Sequence, residues 1–310
     1  MDALVGLLDG VRAHGAFVLR MVLDPPWSLR IQDEAPLTLI CVTAGTAVLS
    51  PDHGAAVHLY AGDVALARGT ENYVLADSAA TPPQVVIHPG QRCTTLSGED
   101  LTLAMSLGVR TWGNSATGAT RAVVGAYEGH SAVSARLLDA LPDVAILRAA
   151  DWNSPLPQAL ADEAVHDGPG QEAFLDRLLD LLLLDFLRTW FSRPGYAPRW
   201  WAAESDPLVG PALRLMYNSP AHPWTVANLA AAVGSSRASF ARRFTALVGE
   251  SPIAFLTSWR LALAADLLGS SDVTVGTVAR HVGYSTPFAL STAFKRAHGL
   301  SPAAFRARRR

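Results

Sequence analysis

Hydrophobic and polar positions change rhythm twice along the 310 residues. From Ala16 to about Tyr127, short apolar or alternating runs are separated by turn residues: AFVLRMVL, WSLRI, LTLICVT, TAVLS, VHLY, DVALA, YVLA, QVVIH, LTLAMSL and TRAVVGAY. Runs of this length and spacing predict an all-β sandwich or barrel. Pro25-Pro26, Gly45, Pro51 to Gly54, Gly62-Asp63, Pro82-Pro83 and Pro89-Gly90 supply the fixed or permissive φ that turns require. After Gly129 the period becomes helical. Ser131 to Ala140 and Leu156 to His166 read as helices, and Gln171 to Phe191 as a stronger one, with Leu175, Leu178, Leu179, Leu182, Phe186 and Trp190 on one stripe. Leu181 and Leu184 fall on its other side, which suits a second contact with the β region or with another copy of the chain, or packing inside a large domain. Arg193 to Pro207, RPGYAPRWWAAESDP, reads as an interdomain linker.

The last hundred residues contain an internal repeat. Thr225 to Phe255 lines up with Thr274 to Phe305, with one extra residue in the second copy. Ala230 matches Ala279, Val233 matches Val282, Gly234 matches Gly283, Phe244 matches Phe294, Gly249 matches Gly299, and Ser251-Pro252 matches Ser301-Pro302. Matches on Gly, Pro and apolar positions mark a repeated fold. Each copy predicts a helix-turn-helix: a short helix ends at the glycine, and a second begins at Ser236 or Ser285, either of which can cap it. The outer side of the first copy's second helix presents Arg237, Ser239, Arg242 and Arg243; the second copy's presents Thr286, Ser291, Lys295 and Arg296. These residue types contact phosphates and base edges in a major groove. Between the copies, Pro252 to Ser270 predicts one amphipathic helix that fixes the two units, so that their second helices reach successive grooves about 34 Å apart.

Charge sharpens this division. The net −2 conceals 13 basic and 24 acidic residues over 1–207, net −11, against 12 basic and 3 acidic over 208–310, net +9. A basic region of domain size is the footprint of a binder of nucleic acid or of an anionic surface, and an acidic half is repelled from the same partner. Half of the chain is apolar and 17% charged, which excludes a disordered chain. Met1 to Arg20 does not read as a secretory signal, and Leu178 to Leu187 is too short to span a bilayer, so no membrane partner and a cytoplasmic, nucleoid-associated protein are expected. Two cysteines, Cys41 and Cys93, are too few for a disulfide scaffold, a four-cysteine zinc site or the zinc-anchored reactive cysteine of a DNA-repair methyltransferase.

The run GSSRASFARRFTALVGESPIAFLTSWRLALAADLL, followed by VARHVGY and FKRAHGLSPAAFR, closely resembles the DNA-binding domain of AraC/XylS transcriptional regulators over roughly Leu208 to Arg310. The resemblance implies bipartite recognition of double-stranded promoter DNA, with RNA polymerase as a further partner. It names Ser236, Arg237, Ser239, Arg242 and Arg243 in the first unit, and Ser285, Thr286, Pro287, Ser291, Lys295 and Arg296 in the second. Leu290 stands where an aromatic is common and Thr292 where an arginine is common, so more specificity is expected from the first unit; Pro287 suits a first helical turn. WSLR at Trp27 to Arg30, Gly62-Asp63, ARGTENYVLAD ending at Asp77 and LLDALPD at 137–143 resemble the cupin-like sensor domains of one group of these regulators. That implies a small β-barrel reading a signal, followed by helices for dimerisation.

The expected fold is α+β in two domains: an N-terminal cupin-like β-barrel with trailing helices, and a C-terminal all-α double helix-turn-helix. The expected boundaries are 1–130 for the sensor, 131–192 for a helical dimerisation segment and 193–207 for the linker. The DNA-binding domain takes 208–310, with units at 225–248 and 274–298. No catalysis, metal or resident cofactor is expected: His53, His58 and His88 lack the H-x-H and downstream Glu of metal-binding cupins, and Asn72 stands where relatives often carry a histidine. A small organic effector in the barrel is the expected signal, with Trp27, Arg30 and His58 as pocket candidates. Two other readings are a metal-dependent cupin enzyme fused to a DNA-binding domain, and a redox sensor in which Arg92 favours the Cys93 thiolate while Cys41 sits in an apolar run.

Overall fold

The computed structural model describes residues 17–69, 72–127, 137–270 and 273–309. Two compact units divide near Arg193: among the described residues one takes in 17–127 and 141–193, the other 137–140 and Pro194 onward. Residues 131–136 of the helix expected at Ser131 to Ala140 lie outside the described residues.

The first unit is built from two sheets. The strands are β1 (Phe17–Leu23), β2 (Ser28–Ile31), β3 (Leu37–Ala44), β4 (Thr46–Pro51), β5 (Val57–Tyr60), β6 (Val64–Arg68), β7 (Tyr73–Ala76), β8 (Val85–His88), β9 (Arg92–Thr95), β10 (Ser106–Gly108), β11 (Thr111–Trp112), β12 (Thr120–Tyr127) and β13 (Val144–Leu147). The seven-stranded sheet runs β10-β11-β1-β12-β3-β6-β13 and the six-stranded sheet β5-β4-β7-β2-β8-β9. Alternation decides which side chains enter the shared core: Met21, Leu23, Ile40, Val42 and Trp112 from one sheet meet Leu29, Ile31, Leu49, Leu75 and Ile87 from the other.

The other face of the seven-stranded sheet is covered by α1 (Leu156–Glu163), which packs on β3 and β12, and α2 (Gln171–Ser192). Strand β3 is therefore buried on both faces along Leu37–Val42. A Cβ on Gly125 would stand 2.3 Å from Leu179 Cδ1, and the Tyr127 hydroxyl donates to the Leu179 carbonyl at 3.0 Å, so α2 sits directly on β12.

Three expectations for these regions are corrected. LTLAMSL does not form a strand over its length: the Asp100 carboxylate captures the Thr102 amide at 2.7 Å, and Met105 N donates to Leu101 O, curling the segment so that only Ser106–Gly108 pairs. The segment 131–192 is not wholly helical, because Val144–Leu147 adds to the sheet beside β6, with Ala145 and Leu147 buried. The linker read at 193–207 contains a helix, α3 (Arg199–Glu204), whose Trp200 and Ala203 are buried.

The second unit is helical: α3, then α4 (Val209–Asn218), α5 (Val226–Ala232), α6 (Arg237–Val248), α7 (Pro252–Ser270), α8 (Val275–His281), α9 (Pro287–His298) and α10 (Pro302–Arg309). Helix α7 is not amphipathic in the expected one-sided sense. Phe255, Leu256 and Trp259 are buried along its first half, where Tyr217 of α4 stacks edge-on against Phe255 and Trp259. Leu261, Ala264, Ala265 and Leu268 join the core of α8 and α9. Each half turns a different side to its core, so the helix as a whole has no single apolar face.

Candidate nucleic-acid interface

The two helix-turn-helix units, α5–α6 and α8–α9, repeat the same cap, turn and core contacts. Thr225 caps α5 and Thr274 caps α8, each accepting an amide proton three residues on. In the turns Ser235 N donates to Ala230 O at 2.9 Å and Tyr284 N to Ala279 O at 2.8 Å. Gly234 and Gly283 take φ of 67° and 83°, the left-handed region that a side chain resists. Phe244 meets Phe255 at 5.7 Å, and Phe294 meets Phe305 at 5.2 Å, both edge-on. The two second helices are thus presented by the same scaffold.

Ser236 caps α6 through Ser239 N at 3.3 Å. In the second unit the cap is Thr286, which accepts from Ala289 N at 3.1 Å; Ser285 lies one residue before it. The choice follows from Pro287: its missing amide and fixed φ suit the first helical position, which makes the preceding Thr286 the cap. Phe240 and Phe244 turn inward from α6, as do Leu290 and Phe294 from α9. Arg237, Arg242, Lys295 and Arg296 are left exposed, with Ser239 and Ser291 beside them. Each helix therefore carries cations on the side away from its core, as phosphate contact requires.

Arg243 is placed differently from the other cations. Its Nη2 lies 2.6 Å and its Nε 3.0 Å from Asp206 Oδ2. Asp206 in turn accepts the amide protons of Leu208 and Val209 at 2.9 Å, capping α4. The Arg243 hydrogen bonds pull the Asp206 carboxyl down to about 2. The guanidinium is held back against its own domain.

The units are also locked to one another. Arg260 of α7 donates to the carbonyls of Pro220 and His222 at 2.7 Å, fixing the loop before α5. A Cβ on Gly283 would come within 2.7 Å of Ala221 Cα in that loop and 2.9 Å of Arg260 Nη2. The turn of the second unit is therefore seated on the first.

One exposed group escaped the sequence reading: Phe288, in the first turn of α9, is 80% exposed. The signal was its helical phase, since it lies four residues before Thr292 and seven before Lys295, opposite Leu290 and Phe294.

In the β unit the pocket candidates do not converge. Trp27 is buried in the core, whereas Arg30 alternates outward between Leu29 and Ile31 and grips Asp52 at 2.5 and 2.6 Å. His58 alternates outward beside buried Leu59. A pocket of about 230 Å³ opens instead beside Asp33, Glu34, Thr38, Asn72 and Tyr73. Cys41 and Cys93 are both buried. Arg92 and Cys93 point to opposite sides of β9, and burial, reinforced by the Asp100 charge, pushes the Cys93 thiol up to about 11; burial raises Cys41 further. The thiolate expected from Arg92 is disfavoured. Among the described residues no three His, Cys, Asp or Glu side chains are grouped to hold a metal, and no described helix is long and apolar enough to cross a membrane.

A cupin family profile matches residues 2–192, and a helix-turn-helix domain profile matches residues 229–308. A Streptomyces antibioticus protein described as an AraC-like transcription regulator is 37% identical over 175 residues, 55% of this chain and 58% of that protein. The chain thus aligns with little more than half of that relative's length. The transcriptional regulator AlkR of Acinetobacter baylyi is 26% identical over 99% of both chains. The crystal structure of the DNA-binding domain of AdpA in complex with a target DNA aligns at 38% identity and a TM-score of 0.32, over 34% of this chain and 93% of that one.

Proposed function

The chain belongs to the cupin family through residues 2–192 and carries an AraC-type helix-turn-helix domain behind it, and on that premise we propose that it is a sequence-specific transcriptional regulator coupling a signal met by the cupin domain to promoter binding. The observation that carries this reading is the repeated presentation of α6 and α9, each capped, turned on a left-handed glycine and basic on its outer side. Arg237, Arg242, Lys295 and Arg296 grip phosphates, while the cap-proximal residues, Ser239 in α6 and the first turn of α9, approach base edges. Arg243 orients α6 rather than reading DNA. The acidic amino-terminal half stays off the duplex and suppresses indiscriminate binding.

The functional division runs 1–130 for the sensor, 131–192 for dimerisation, 193–207 for the connection and 208–310 for DNA, with β13 contributed to the sensor from within the second segment. The signal is a small organic molecule admitted by the cupin domain, and the output is contact with RNA polymerase at a promoter, in the cytoplasm and without catalysis. Two copies join through α2: Phe174 and Leu181 are about half exposed while Leu175, Leu179, Leu182 and Phe186 are buried.

The test is retention of duplexes selected from a random pool by the full chain. Double replacement of Arg237 and Arg242 by alanine lowers the slope of log affinity against log salt by about 0.9 for each phosphate that the variant no longer neutralises. Unchanged affinity and slope would remove α6 from the interface.

A further inference from the structure

We propose that Phe288 is a specificity-determining residue of the second unit, reading the C5-methyl group of a thymine in the major groove. The inference rests on the DNA-binding reading above and adds to it the chemistry of one contact. The side chain is 80% exposed, although it belongs to a helix whose other large apolar groups, Leu290 and Phe294, are completely buried. It occupies the second position of α9, immediately after Pro287, and shares an outer face with Thr292 and Lys295 at helical spacing. The first turn of a reading helix is the part that meets base edges, and the later turns lie beside the backbone. Phe288 and Lys295 thus divide the face into an apolar base-edge end and a cationic phosphate end. Position 288 is matched in the first unit by Ala238, so the two units present groups of different reach from equivalent places.

The ligand chemistry follows from the side chain. A phenyl ring has no donor or acceptor to satisfy at a base edge, and in the major groove thymine alone among the four bases offers an apolar group. Contact between ring and methyl removes both from water, which relieves the exposure of Phe288 in the unbound protein. The unit departs from its resemblance at Thr292, where an arginine is common, and an apolar contact four residues earlier supplies discrimination that hydrogen bonding by an arginine does not provide here.

The experiment uses the full chain and a duplex selected by it from a random pool. Each thymine of the half-site bound by the second unit is replaced singly by deoxyuracil, which deletes only the methyl. The expected result is a loss of about fourfold in affinity at one position, the equilibrium equivalent of burying one methyl-sized group. Phe288→Ala shows a similar loss on the parent duplex and no further loss at that position on the deoxyuracil duplex. An unchanged melting temperature for Phe288→Ala separates the effect from misfolding. A flat deoxyuracil scan, or a methyl effect that persists in Phe288→Ala, overturns the proposal while leaving DNA binding intact. Failure of the wild-type chain to select any duplex overturns the DNA-binding reading itself.

Discussion

The Asp206 carboxylate holds the Arg243 guanidinium through both Nε and Nη2 while also accepting the amide protons of Leu208 and Val209. One side chain therefore caps α4 and anchors the middle of α6, 37 residues further along the chain. Asp206 is nearly buried, whereas Arg243 keeps about half of its side chain exposed. The arrangement gives Arg243 a structural duty that Arg242, beside it on the exposed face, does not have.

This pair predicts an acid-sensitive contribution to stability. The Asp206 carboxyl lies at about 2 in the folded chain against an ordinary 3.8. A carboxyl lowered on folding stabilises the fold fully above its unfolded value and loses that contribution as pH falls through the folded value. Asp206→Asn is therefore expected to be less stable than wild type at neutral pH, and the gap between them is expected to close between pH 4 and 2. Urea midpoints measured across that range check it, and a gap independent of pH would show that the ion pair contributes nothing. Arg243→Ala should lower the midpoint at neutral pH, while Arg242→Ala should leave stability within about 0.5 kcal/mol, as surface changes usually do.

Gly234 and Gly283 share a left-handed turn but not its surroundings. A Cβ at Gly234 meets nothing within 4 Å, whereas one at Gly283 meets Ala221 Cα at 2.7 Å and Ala221 O at 2.8 Å. Gly234→Ala is expected to cost about 1–2 kcal/mol for the conformation alone. Gly283→Ala should cost clearly more, because its obstacle is backbone. It should also weaken binding to a two-site duplex beyond its effect on stability, since it displaces the second unit from the first. Equal denaturation midpoints for the two variants would contradict this account of how the units are locked.

Much of the helical unit was legible because its determinants are local. Ser236, Gly234, Gly249 and their counterparts act on amides within a few residues, so a repeat of residue types is already a repeat of geometry. The strand runs of the β unit were legible for the same reason, through alternation. Contacts set by tertiary placement were not. Nothing near Arg243 in the chain announces Asp206, and nothing in VAIL at 144–147 distinguishes a strand beside β6 from part of a helical segment. Arg92 misled for a geometric reason: sequence neighbours on a strand face opposite ways, so Cys93 meets the core and Asp100 instead. Arg30 and His58 failed as pocket residues by the same alternation, each flanked by a residue that points inward.

Helix α2 offers separate tests of packing and of the proposed dimer contact along one element. Leu179 is completely buried against Gly125 and Tyr127, whereas Leu181, two residues on, is half exposed. Leu179→Ala should destabilise the β unit by about 2–5 kcal/mol through the cavity it opens. Leu181→Asp should leave the melting temperature nearly unchanged and convert a dimer into a monomer, read as a halved mass by light scattering. A wild-type monomer, or a Leu181→Asp variant that keeps the wild-type mass, would remove α2 as the dimer contact.

The two thiols give an equally direct test of the signal. With its Sγ buried 3.5 Å from the Gln91 carbonyl and its thiol pushed up to about 11 by burial, Cys93 is disfavoured as a thiolate. Cys41 faces the covered side of β3 and is raised further by burial. Because the thiolate is the reacting species, alkylation of both by iodoacetamide at pH 7.5 should be slower than that of glutathione by at least about tenfold, and should accelerate only in denaturant. Cys93→Ser should leave the transcriptional response to oxidants unaltered. Rapid modification of Cys93 in the folded chain, together with an oxidant response abolished in Cys93→Ser, would overturn the small-molecule signal and restore a redox one.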